Sequence, residues 1–175
     1  LKLTRAVSRF DVQILGDTHE IASVSIWNNA SKTPTWLSNT NASDAVTINP
    51  ARFYGIEYPS NTKEVKGGLY TFENYNSDPA VGDDATTCLV LGIRPYGGGT
   101  EEYYRVNIHP EESGQSLKRN YVYQVTVRAV LGAGKGNEQE AYESKVDPNL
   151  DIDINNWSLD DEGVILTDGK NTLAV

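Results

Sequence analysis

The chain has no methionine, one cysteine, and only three tryptophans and three phenylalanines among 175 residues. A lone cysteine cannot close a disulfide within the chain, and Cys88 stands inside the apolar run "TTCLVLGI", where it reads as a small buried side chain rather than a reactive thiol. Basic residues are also in deficit: 15 against 24 carboxylates give a net charge of −9 and a pI near 4.7. That sign opposes a phosphate backbone or an anionic bilayer face, so nucleic acid is not an expected partner. No apolar run approaches the ~20 residues needed to cross a bilayer, and no charged-then-apolar leader stands at Leu1. With no initiating methionine, the expectation is a processed product or an excised domain, any export signal having been upstream.

Helix signals are scarce too. Only "NEQEAYESKV" strings helix formers together, without a sustained apolar face, so one short helix at most is expected. Alternation is what the chain has in abundance. Phe10, Val12 and Ile14 alternate with polar neighbours in "RFDVQILG", and Val24 and Ile26 do so in "IASVSIWN"; with turn residues Gly16 and Asp17 between, the two strands are expected to form a hairpin. Residues 28–49 read as a long loop holding the short strand-prone piece "AVTI". "RFYGIEY" alternates weakly, and "SNTKEVKGG" reads as a solvent-facing connector before the strand "GLYTFENY". "TTCLVLGIRPY" is apolar on both parities, as a central strand covered on both faces must be. The "GGG" turn then returns the chain along "EEYYRVNIH". In "NYVYQVTVRAV", Tyr121, Tyr123, Val125, Val127 and Ala129 share a parity and read as a core wall. Residues 136–162 carry nine carboxylates against Lys145 alone, a mostly solvated tract within which "NLDIDINNW" alternates again. Many short strands with Gly, Asn and Pro turns indicate an all-β fold, an antiparallel β-sandwich in a single domain spanning residues 1–175.

Catalytic and ligand-binding patterns find little footing. "GAGKG" falls short of a phosphate loop, with Ala129 where a glycine is needed, Gly136 where a Ser or Thr should follow Lys135, and no helix to open. Asp147, Asp151 and Asp153 supply oxygens of the kind calcium takes, but Asp151 and Asp153 have ordinary half-buried strand spacing. His19 and His109 stand alone, which disfavours zinc. No nucleophile, base and orienting group can be assembled, and no cofactor or metal is expected. Trp27, on the parity opposite Val24 and Ile26, and Trp36, in a polar loop, are candidates for exposed rings that stack on sugars, giving a surface glycan-binding module as the alternative reading.

Taken in order, "LTRAVSRFDVQI", "YTFEN", "TTCLVLGIRPYGGG", "EYYRVNI", "LKRNYVYQVTVRAVLGAG" and "NNW" resemble the fimbrillin superfamily of Bacteroidales, the subunits of pili on those bacteria, across Leu3 to Trp157. The resemblance implies a transthyretin-like sandwich that is a structural or accessory fimbrial subunit and not an enzyme, exported as a lipoprotein and held at the outer membrane or fimbrium. It also implies assembly by donor-strand exchange with other fimbrial subunits, in many members after an arginine-directed protease removes an N-terminal strand, with host or bacterial surfaces as further ligands. The tail 163–175, "GVILTDGKNTLAV", has donor character through Val164, Ile165, Leu166, Leu173 and Val175. Arg5 and Arg9 are the arginines nearest the amino terminus and read as strand residues rather than cleavage points. Members usually carry two sandwiches and a lipidated cysteine, so the chain also reads as one domain of a longer protein.

Overall fold

The computed structural model describes residues 7–32, 47–74, 86–108, 117–145, 149–158, 165–167 and 172–174. The sandwich strands are β1 (Val7–Ile14), β2 (His19–Lys32), β3 (Thr47–Glu57), β4 (Glu64–Phe72), β5 (Cys88–Pro95), β6 (Glu102–Asn107), β7 (Tyr121–Val130) and β8 (Leu150–Ser158), with the helix α1 (Glu138–Glu143) before β8. Two short strands follow, β9 (Ile165–Thr167) and β10 (Thr172–Ala174). One four-stranded sheet runs β4-β1-β7-β8 and the other β3-β2-β5-β6. All pairings are antiparallel except β1 with β7.

The expected hairpin of the first two strands is corrected by this topology, since β1 and β2 lie in opposite sheets. The reason is the apolar parity of each strand. Phe10, Val12 and Ile14 of β1 face Ile21, Val24 and Ile26 of β2 across one core, so the link through Gly16 (φ 75°) carries the chain from one layer to the other. The two other apolar walls follow the same logic. Tyr123, Val125 and Val127 of β7 and Leu69 of β4 meet Leu89, Leu91 and Ile93 of β5 and Tyr104 and Val106 of β6. Each fully buried side chain of this size contributes about 1.5–3 kcal/mol.

β5 is central, as its sequence requires, and its second parity is covered by α1. Cys88 and Val90 pack there with Trp27, Ala141 and Tyr142 in a second cluster outside the main core. Asn137 caps α1 by accepting a hydrogen bond from the Glu140 amide at 2.9 Å, and Glu138 and Glu140 sit favourably in its first turn. Two further expectations are corrected. Residues 28–49 are not loop throughout, because β2 continues to Lys32 and Thr47 and Ile48 open the outer strand β3, and in "SNTKEVKGG" the connector ends at Lys63, because β4 begins at Glu64 and pairs with β1 through a bulge. Positive φ angles at Gly67 and Gly68 (71° and 86°) account for its disguise, since they interrupt the alternation that would mark a strand.

Candidate strand-addition site

The outermost strands of the two sheets are β4, β8, β3 and β6, and each has a different outer side. At β6 the chain closes over itself: Tyr103 N–H donates to Lys135 O and Lys135 N–H to Tyr103 O, both at 2.9 Å. The "GAGKG" stretch is therefore a strap. Glu102 receives the Gly134 amide at 3.0 Å and the Tyr104 hydroxyl at 2.9 Å, and these donors hold its carboxyl below the usual range. A side chain at Gly134 would strike the Tyr104 ring at 2.7 Å, which is why glycine stands there. Farther along, Asn107 Nδ2 donates to Lys145 O at 2.9 Å, tying β6 to the end of α1.

β3 is blunted by its own irregularity. Pro50 carries no N–H, and the pairing with β2 shifts register at three places. The β4 side is closed by a side chain from β3. Tyr70 N–H donates to Tyr54 Oη at 2.5 Å, and the Tyr54 hydroxyl in turn faces Gly68 O at 3.0 Å and Tyr70 O at 3.2 Å. Partial burial raises the Tyr54 hydroxyl and pushes that of Tyr58 up to about 12. Below it Glu20, fully buried, holds the β3–β4 connection, accepting from Arg94 Nε at 2.6 Å and the Asn61 amide at 2.8 Å. The Arg94 hydrogen bond, ahead of the opposing effect of burial, sets its carboxyl below the ordinary glutamate value.

β8 differs from the other three. Among the described residues, those from Asp151 to Trp157 pair with no strand other than β7. Ile152 and Ile154 point at the core yet stay only half-buried, while Asn155 and Asn156 are exposed. Asp151 is engaged by Arg128 of β7 at 2.6 Å, an exposed pair, and among the described residues no carboxylate and histidine cluster could hold a metal. Asp153 accepts from Asn155 Nδ2 at 3.0 Å, and Asp147 and His109 lie outside the described residues.

The tail candidates are only partly within view. Ile165, Leu166 and Leu173 lie in β9 and β10, which pair with each other, Leu166 opposite Leu173 and Ile165 opposite Ala174, and belong to neither four-stranded sheet. Val164 and Val175 fall outside the described residues, as do Trp36 and Arg5. Arg9 is a strand residue, bonded to Asp11 at 2.9 Å. Trp27 is corrected: it is 5% exposed, its ring stacked on Tyr142 at 4.4 Å and its Nε1 donating to Ser25 at 2.9 Å. A ring covered on this face by α1 presents no platform to a sugar. Sequence parity found its side of β2 but not the helix that packs there. The Tyr54 closure also escaped the sequence reading, since a tyrosine in a weakly alternating run gives no sign of a backbone partner on another sheet.

No protein-family model matches this chain, and no curated protein matches it. Solved structures do. A proposed cell adhesion protein from Parabacteroides distasonis ATCC 8503 superposes with a TM-score of 0.50 at 18% identity, over 87% of this chain and 52% of that one. The tip fimbrial protein Mfa3 from Porphyromonas gingivalis, with C-terminal truncation, gives 0.50 at 11% identity, over 89% and 52%. A further proposed cell adhesion protein from P. distasonis ATCC 8503 gives 0.52 at 12% identity, over 89% and 59%. The chain thus spans 52–59% of the length of these structures. At such identities the likeness is one of fold.

Proposed function

We propose that this chain is a non-enzymatic subunit of a cell-surface fimbria, a structural or accessory one, joined to a neighbouring subunit by β-strand addition. The carrying observation is the terminal pair β9–β10, which stands apart from both sheets while β8 ends its own sheet with half-buried isoleucines. A lone two-stranded hairpin is marginally stable in water, so it gains by joining the end of a larger sheet. Strand addition supplies that gain through backbone hydrogen bonds, and alternate side chains set the register. The fold shared with a tip fimbrial protein and cell adhesion proteins supports the same reading. Export to the outer surface, lipid anchoring and a second sandwich elsewhere in the protein belong to this proposal as well. Deleting residues 163–175 is expected to abolish assembly with partner subunits, as seen by sedimentation and negative-stain microscopy. Unchanged assembly would remove the donor role of the tail.

A further inference from the structure

We propose that Tyr54 is a specificity-determining residue for strand addition: its phenol fills the outward backbone positions of β4 that an incoming strand would need, and so turns such a strand away from that end of the sheet. Tyr70 faces Arg9 across the β1–β4 pair, and both its N–H and its C=O are within hydrogen-bonding distance of the Tyr54 hydroxyl. These are the groups an added strand bonds first, and the Tyr54 hydroxyl takes the place of that strand's backbone partners. Only a short stretch of β4 is regular enough to accept a partner. On its amino-terminal side Gly67 and Gly68 have positive φ, and the Gly67 amide is taken by Asp11 Oδ1 at 3.0 Å, so the bulge cuts the usable run to Leu69–Phe72. Tyr54 engages the middle of that run.

The neighbourhood makes such a guard necessary. Phe53, its ring edge-on to that of Tyr54 at 5.0 Å, and Tyr70 within the run are 47% and 43% exposed, so without the hydroxyl β4 becomes an apolar-bordered sheet end of the kind that pairs indiscriminately. As a phenol, protonated at neutral pH, the Tyr54 hydroxyl is able both to accept from Tyr70 N–H and to donate to a carbonyl. The inference rests on the proposed strand addition only for the identity of what arrives; the closure itself stands on the hydrogen bonds.

Tyr54→Phe in the full chain tests it, because the ring and its packing remain and only the hydroxyl is lost. Hydrogen exchange is measured by mass spectrometry, and an amine-reactive cross-linker is applied to a mixture of ¹⁴N- and ¹⁵N-labelled protein. Exchange over Leu69–Phe72 is expected to quicken at least about tenfold in the variant while β8 is unchanged, with intermolecular Lys66–Lys66 cross-links rising severalfold. Phe53→Ser keeps the hydroxyl and is expected to leave the exchange of β4 as it was. Exchange and cross-linking equal to those of the unaltered protein would overturn the proposal, and so would an equal quickening in every strand, the sign of general loosening. Failure of the tail deletion to stop assembly would leave this result standing, so the two readings fail separately.

Discussion

The two ends of the β4-β1-β7-β8 sheet solve the same problem in opposite ways. At β4 the outer backbone groups meet Tyr54, the buried Glu20 carboxylate holds the preceding connection, and the following residue, Glu73, is fully buried against Arg119. At β8 the ion pair Arg128–Asp151 lies in solvent, and the inward isoleucines are half-covered. Both strands have apolar inward positions and a single paired neighbour, so exposure to a new strand is decided by what other parts of the chain bring to the end. A closed end is made from long-range polar contacts, and an open one needs none.

The comparison can be broken most severely at the closed end. Arg119→Ala takes the guanidinium away from the buried Glu73 carboxylate and is expected to cost about 3–5 kcal/mol in urea unfolding, whereas replacing both members by Leu and Met should recover most of the loss. Next is packing: Leu69→Ala in β4 should lose about 2–5 kcal/mol, and Ile154→Ala in β8 only about 1 kcal/mol, because that side chain already meets solvent. Equal losses would mean that β8 is covered as β4 is. A smaller effect is tied to pH. The folded-state carboxyl of Glu20 is lowered, chiefly by Arg94, so its contribution is present above the ordinary glutamate value of about 4.3 and is lost as the pH falls through the lowered one. The difference in thermal midpoint between the unaltered protein and Glu20→Gln should therefore be full at neutral pH and close in acid. The smallest change is Arg128→Ala, for which the exposed pair predicts an unfolding midpoint within error of the original.

Much of the fold was legible because face and parity are local properties. The double apolar parity of "CLVL" announced a central strand with both faces covered, and the "GGG" turn announced the β5–β6 hairpin. The helix over "EQEAYE" and the strand over "LDIDINNW" fell where their residues suggested. The candidate site was less legible. Trp27 looked exposed because parity says which face a side chain takes and not what covers it; its cover, Tyr142, stands far along the chain. The strand over "GLYTF" was legible, but the first part of β4, from Glu64, was hidden by glycines whose value lies in a bulge that only its partner β1 defines.

Alternating apolar residues by themselves determined that this chain forms layers of strands with one short helix, since burying one face of a pleated strand needs no knowledge of its partner. Which strands share a sheet, and which sheet ends remain able to accept another, was decided only when distant segments met. Tyr54 from β3 and Lys135 from the strap closed two ends by hydrogen bonds that have no trace in local periodicity.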